Sequence, residues 1–262
     1  MLKNLLILSP FLLCALFTIF VPLINSENAD LTALHSARLA PSLQHFFGTD
    51  FLGRDLFLRL ANALRTSFLT GFLASFLSLV LAIFYVFLAR LTFYNAFIRA
   101  LDALLALPAL LVVMFCQSFL GGSLSVMIAV IALTHWCVIA KSLDSEVTRF
   151  SKSDFYLCAL GLGASKFKLL WREVLPASAN LLLVLFILNV AHAISNEATL
   201  SFFNLGVGVG EASLGVLLNE ASRALFMGDW WLILFPLLAL LMMILPLLAL
   251  ANLLQDRLGV KL

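Results

Sequence analysis

The chain has 262 residues, of which 63% are hydrophobic and 11% charged, and its formal net charge is +2. Soluble domains carry about 25% charged residues, so this composition excludes a soluble globular protein. The small net charge also argues against nucleic-acid binding.

Five uncharged apolar runs are long enough to cross a bilayer, which takes about 20 residues per helix. The third run has 38 residues and is interrupted by Gly121-Gly122-Ser123, so it predicts two helices. The expected fold class is therefore all-α, with a single membrane domain over residues 1–262 and six transmembrane helices. The runs are Leu5–Ile24, Thr66–Ala89, Ala103–Ala140, Ala177–Asn196 and Trp230–Gln255.

The first run has one feature of a signal peptide, because Lys3 precedes it. Its apolar stretch is longer than the roughly 7–15 residues of a signal core, and no clean cleavage site follows. We therefore expect Leu5–Ile24 to be retained as a span.

The distribution of cationic residues predicts cytoplasmic amino and carboxyl termini. With six helices in this orientation, 11 Lys and Arg residues fall on the cytoplasmic side and 5 on the other side. Segments 25–65 and 198–229 are then extracytoplasmic, and segment 142–176 is the main cytoplasmic loop.

The loop at 25–65 contains Phe47-Gly48-Thr49-Asp50-Phe51-Leu52-Gly53-Arg54-Asp55, followed by Arg59 and Arg65. Its glycines and acidic residues are typical of an ordered, turn-rich loop.

The cytoplasmic loop predicts a helix–turn–helix outside the bilayer. Ser153 and Asp154 are suited to cap a short helix, Gly163 to end it, and Pro176 to begin the next membrane helix. Apolar residues between 155 and 160 make that helix either a docking surface for another protein or an amphipathic helix on the membrane surface. Residue types alone leave both interpretations open.

Polar residues in two membrane helices are candidates for lining a translocation path. Asn189, His192, Asn196 and Thr199 recur at spacings of three and four, which puts them on one helix face. His135 lies in the preceding membrane helix. Ionisable residues within the membrane usually face a cavity or a partner, although a hydrogen bond between helices is the structural alternative.

A metal site made by both histidines is not expected. Counting from the predicted cytoplasmic helix ends places His192 and His135 at depths about 12 Å apart. Imidazole–metal bonds are about 2 Å long, so the two would act in sequence, as transient ligands. Met114 is a further candidate on the path, although methionine in an apolar helix more often serves packing.

Energy conversion and catalysis are not expected in this chain. The sequence has no Gly-x-x-x-x-Gly-Lys-Ser/Thr loop for ATP phosphates and no catalytic cluster, so we predict neither an enzyme nor a bound cofactor. The four cysteines match neither a zinc site nor a disulfide framework.

The cytoplasmic loop resembles that of the inner-membrane permeases of bacterial ATP-binding-cassette (ABC) importers. The resemblance implies a coupling helix that docks on an ATPase subunit. At the position of the acidic residue in the family's Glu-Ala-Ala, this sequence has Leu157. The matching pattern of small residues, glycine and a final hydrophobic-Leu-Pro comprises Leu157, Cys158, Ala159, Gly163, Ala164, Leu175 and Pro176.

The outer loop is similar to that of the dipeptide, oligopeptide and nickel branch of these permeases. The stretch from Glu197 to Phe202 matches that branch too. His135 and His192 resemble positions where nickel importers carry histidine, which favours nickel, free or chelated, over the alternative of a peptide. The matching outer-loop residues are Gly48, Thr49, Asp50, Gly53, Arg54, Asp55 and Arg65.

This resemblance implies the type I ABC importer permease fold in the bacterial inner membrane. The implied partners are a homologous second permease, two ATPase subunits and an extracytoplasmic binding protein, in addition to membrane lipid. An autonomous channel or secondary carrier is the competing hypothesis, in which the cytoplasmic loop would lie on lipid.

Overall fold

The computed structural model describes residues 31–121, 123–206 and 211–260, so the first predicted span, Leu5–Ile24, lies outside the described residues. Short 3₁₀ helices occur at Leu34–Ser36 and Ser222–Phe226. Helix α6 continues as π-helix Leu170–Val174 and then as a three-residue α-helical stretch, Leu175–Ala177. The helices are α1 (Leu56–Leu91), α2 (Tyr94–Leu105), α3 (Ala109–Leu120), α4 (Leu124–Ser151), α5 (Asp154–Gly161), α6 (Lys166–Leu169), α7 (Ala179–Phe202), α8 (Leu214–Ala221) and α9 (Trp231–Leu258).

The described helices confirm the predicted all-α membrane fold. Helices α1, α4, α7 and α9 are each long and apolar enough to cross a membrane. The pair α2 and α3 makes a fifth span if the two helices count as one. These five correspond to the spans predicted after Leu5–Ile24.

Two predicted loop boundaries were wrong, because the helices extend beyond their apolar runs. Helix α1 begins at Leu56, where the Asp55 carboxylate accepts hydrogen bonds from the N–H groups of Phe57 and Leu58. Helix α4 continues to Ser151, eleven residues beyond the end of its apolar run at residue 140. An apolar run marks the part of a helix that lies in hydrocarbon, whereas caps and polar partners decide where the helix ends.

The span predicted between residues 103 and 121 is not one straight helix. Helices α2 and α3 are bent by 84° relative to each other. Pro108 lies in the break, with an extended ψ of 110°. Proline has no N–H to donate, and it disfavours helical backbone in the residue before it, which explains the break.

The bundle is organised around α1, which packs along α4 and α7, while α9 packs on α7. Helices α1 and α4 run parallel, since Ser78 Oγ donates to the Ala132 carbonyl at 3.2 Å and Arg90 Nε donates to Asp144 Oδ1 at 2.9 Å farther along both helices. Helices α1 and α7 approach closely at Gly71, where any Cβ would collide with the Ile194 side chain.

Ion pairs connect separate segments of the chain at both ends of the bundle. At one end, Arg38 Nε lies 2.6 Å from Asp229 Oδ2 and joins the loop before α1 to the segment before α9. At the other end, Arg90 joins α1 to Asp144 of α4. The segments predicted to be extracytoplasmic therefore share one end. Which end faces the cytoplasm stays a prediction.

Thiol labelling tests that orientation. We expect Leu43→Cys to react with an impermeant maleimide in intact spheroplasts, and the native Cys158 to react only after permeabilisation. Both positions are exposed, Leu43 at 92%, whereas Thr49 in the same loop is buried and unsuited as a reporter. The background variant carries serine at the three other cysteines. Labelling of both sites in intact spheroplasts would contradict the predicted orientation.

Candidate coupling segment and translocation path

The segment between α4 and α7 forms the helix–turn–helix that the sequence predicts. Ser153 caps α5 by accepting a hydrogen bond from the Tyr156 N–H. Helix α5 ends in a Schellman motif, in which Ala164 N–H donates to the Ala159 carbonyl at 3.1 Å and Gly163 N–H donates to the Leu160 carbonyl at 2.9 Å. Gly163 has a φ of +89°, the left-handed conformation that this motif requires.

Apolar side chains of this segment are exposed. Tyr156 packs inward, and Ala159 and Ala164 are half-buried against the same apolar cluster. Leu157, which replaces the family's acid, is exposed, as is Cys158. The segment therefore offers an apolar surface, in which Leu157 stands where the family has its acidic residue. Farther along, Leu175 is half-buried and Pro176 exposed, and the next membrane helix begins only at Ala179.

The outer-loop motif holds the loop against α8, because most of its polar side chains point into the protein. Arg59 is 4% exposed, and its Nη1 lies 2.9 Å from Asp50 Oδ2 and 2.5 Å from Glu220 Oε2. Arg54 also pairs with Asp50, at 2.6 Å, and with Glu220, at 3.2 Å. Burial lowers the pKa of the Arg54 guanidinium, but the two carboxylates outweigh burial and the net pKa is raised, so this arginine stays charged.

The remaining residues of the motif hold the loop in place. Thr49 Oγ1 donates to the Ser36 carbonyl at 2.6 Å. Asp55, the α1 cap, lies 2.8 Å from His45 Nδ1. Gly48 packs against Trp231 and Gly53 against the carbonyl of Ala33, both too closely for any side chain. Arg65 differs from these residues, since its side chain is exposed on α1, nearly three turns after the Asp55 cap.

We predict that Glu220→Gln lowers the unfolding free energy of the purified protein by about 1 kcal/mol, because Arg54 and Arg59 lose one of two shared carboxylates while Asp50 remains. The measurement is the thermal unfolding midpoint in detergent. Glu211→Gln is the matched control, because Glu211 is exposed and has no ion pair within the described residues. Equal midpoints for the wild type and Glu220→Gln would contradict the structural role of this ion pair.

The polar stripe of α7 contacts α4 through His135. His135 is 9% exposed. Its Nδ1 lies 2.9 Å from Asn189 Oδ1 and its Nε2 lies 2.7 Å from Asn196 Nδ2. These partners fit a neutral ring that donates from Nδ1 and accepts at Nε2. The hydrogen bond between helices, which the sequence left as an alternative, is therefore present at His135.

His192 lies on the exposed side of the same stripe, beside the exposed Ser195 and the half-buried Thr199. Asn189 and Asn196, which flank His192 by about one turn on either side, both contact His135. The predicted depth difference of about 12 Å between the histidines was therefore wrong. The error follows from the length of α4, since His135 lies 16 residues before its end at Ser151, while His192 lies 13 residues after the start of α7.

Metal ligation by these residues stays a prediction. The described residues contain no group of three or more His, Cys, Asp or Glu side chains placed to hold a metal ion. Both nitrogens of His135 are already hydrogen-bonded. Met114 is half-buried in an apolar cluster with Val113 and Met127, which is the packing role that its residue type favours.

Glu197 forms a polar anchor that the sequence pattern did not single out as a site. Its side chain is fully buried, and Ser201 Oγ donates to Oε1 at 2.7 Å. The hydroxyls of Ser67 and Ser213 face the same carboxyl group, although Oε2 has no partner in hydrogen-bond geometry among the described residues. Ser67 in turn accepts the Leu214 N–H at 3.2 Å, so Glu197 links α7 to α1 and to the start of α8.

Comparison with known proteins gives a consistent result. Residues 76–262 match the family described as "Binding-protein-dependent transport system inner membrane component". The chain is 30% identical over 231 residues to the dipeptide transport system permease protein DppC of Bacillus subtilis (strain 168), covering 86% of this chain and 72% of that protein.

Two further relatives have similar coverage. The oligopeptide transport system permease protein OppC of Bacillus subtilis is 31% identical, over 86% of this chain and 74% of its own length. A putative peptide permease protein of Brucella suis biovar 1 is 32% identical, over 89% of this chain and 78% of its own length.

Proposed function

Since the chain belongs to the family of binding-protein-dependent transport system inner membrane components, and is thus the permease subunit of an ABC importer, we propose that its cargo is a dipeptide or short oligopeptide. The observation that carries this proposal is the similarity, over most of the chain, to proteins named as dipeptide and oligopeptide permeases. A peptide, which was the alternative cargo in the sequence analysis, therefore replaces nickel as the proposed cargo. None of the three relatives described above carries nickel in its name.

The chemistry of the α7 stripe supports a peptide. His192, Ser195 and Thr199 present hydrogen-bond donors and acceptors on an exposed helix face, beside the amide of Asn196. A peptide backbone carries one N–H and one C=O per residue and is matched by such groups without a strong charge. A nickel path favours several imidazole or thiolate ligands close together, whereas this face exposes the single imidazole of His192.

Transport requires partners. The segment between α4 and α7, which we call the coupling segment, supplies the contact surface for one of them. In our proposal the apolar surface of α5 docks on an ATPase subunit, and ATP hydrolysis there alternates access to the path. A second permease completes the path, and an extracytoplasmic binding protein delivers the peptide at the end that carries Arg38 and Asp229.

The test is uptake by a bacterial strain that lacks this chain but retains its partners. Radiolabelled dipeptide uptake is expected to return when the chain is supplied on a plasmid, while radiolabelled nickel uptake stays at the level of the deletion strain. A partner ATPase that cannot hydrolyse ATP is the control and should abolish the restored uptake. Restoration of nickel uptake alone would overturn the proposal.

A further inference from the structure

An apolar groove lies where the second half of α1 meets α6 and its π-helical continuation. Its volume is about 480 Å³, and all nine residues that line it are apolar. Phe84 of α1 and Trp171 of the π-helix remain 65% and 55% exposed. The Trp171 ring meets Phe87 edge to face at 6.0 Å, so the two walls of the groove touch at its floor.

The position of the groove indicates hydrocarbon as its occupant. One wall belongs to α1, which is long and apolar enough to cross a membrane, so lipid hydrocarbon is within reach of the groove. Its volume is in the range of small-molecule sites, which are roughly 300–1,000 Å³, but it offers no polar group to orient a polar ligand. The part of any ligand that enters it is therefore an aliphatic chain.

A basic row borders this apolar wall. Phe167, Trp171 and Leu175 follow one another at spacings of four and line the groove. Lys168 and Arg172 are also four residues apart, and helical geometry places them on the neighbouring, solvent-facing side of the same segment. Both are exposed, and neither side chain has an ion pair or hydrogen bond within the described part of the chain. The rim therefore carries two unpaired cations.

We propose that the groove holds an acyl chain of an anionic phospholipid whose phosphate is bound by Lys168 and Arg172. Basic side chains at the membrane surface attract anionic headgroups, and their aliphatic stems lie along the apolar wall below. The lipid would bridge α1 and the coupling segment, so the anionic lipid content of the membrane would affect how firmly the coupling segment is held. The proposal is independent of the cargo.

The test uses the assembled importer, with a photo-crosslinking side chain introduced as Phe84→p-benzoylphenylalanine. The complex is reconstituted in vesicles of equal parts phosphatidylethanolamine and phosphatidylglycerol, irradiated and analysed by mass spectrometry. Phosphatidylglycerol adducts are expected to exceed phosphatidylethanolamine adducts. A basic side chain near an anionic surface favours binding by roughly fivefold, so the double change Lys168→Glu and Arg172→Glu should lower that ratio by about tenfold or more.

The matched control is the double change Lys152→Glu and Arg257→Glu, two exposed cations that do not line the groove. It should leave the adduct ratio unchanged. Adducts to a protein segment instead of lipid would overturn the proposal, as would equal capture of both lipids. Loss of the ATPase subunits from the Lys168→Glu, Arg172→Glu complex with an unchanged adduct ratio would also overturn it, since the basic row would then serve the ATPase.

Discussion

Replacing Gly163 by valine is expected to reduce ATP-driven uptake by about tenfold or more, while the protein still reaches the membrane. Gly163 has a φ of +89°, and a β-branched residue in this region costs roughly 1–3 kcal/mol. A Cβ at Gly163 would meet no neighbouring atom within 4 Å, so the strain arises in the backbone of the turn itself. Relief of that strain would open the Schellman motif and misdirect α5 relative to α6.

The matched control is Gly161→Val, two residues earlier. Gly161 has no positive φ and equally open space around a Cβ. Uptake and peptide-stimulated ATPase activity are measured for both variants at equal membrane abundance. Normal uptake in Gly163→Val, or an equal loss in both variants, would contradict the role of this turn. Ala159→Asp is a less specific test, because Ala159 packs against the chain's own apolar cluster, where a charge also disturbs folding.

The membrane helices could be predicted because bilayer thickness imposes a length on apolar runs. Their ends could not, because they depend on polar groups outside the runs. Asp55 begins α1 ten residues before its apolar run, and Asp144, paired with Arg90, lies in α4 beyond the end of its run. Pro108 marks the bend before α3 in the sequence, but hydropathy alone merges α2 and α3 into one span.

The coupling turn was predictable because all of its determinants are local. Gly163 and the capping Ser153 lie within eleven residues of each other, and the structure confirms both assignments. The contacts of His135 were not predictable, because its partner Asn189 is 54 residues away in the sequence. The order of the outer loop was predictable from its glycines and acidic residues, but the pairing of its arginines with the distant Glu220 was not, because no local pattern marks that residue.

Replacing His135 by leucine is expected to lower dipeptide uptake by about tenfold and to lower the thermal unfolding midpoint. The change removes both hydrogen bonds between α4 and α7 and leaves the amides of Asn189 and Asn196 without this partner in the membrane interior. Each unpaired buried polar group costs about 1–3 kcal/mol, and Nδ2 of Asn189 already lacks a partner among the described residues. Uptake and unfolding are compared at matched abundance.

His135→Gln and His192→Leu separate hydrogen bonding from metal handling. A glutamine amide can still donate and accept, so His135→Gln should retain most of the uptake that His135→Leu loses. His192 is exposed, so His192→Leu should leave the unfolding midpoint unchanged and affect uptake only through the path. If both histidines instead passed nickel along, glutamine would fail as leucine does, because nickel binds imidazole nitrogen and not a neutral amide. Equal loss of nickel uptake in all three variants would therefore return the cargo to a metal. Retained dipeptide uptake in His135→Gln, together with its loss in His135→Leu, would identify His135 as the link between α4 and α7.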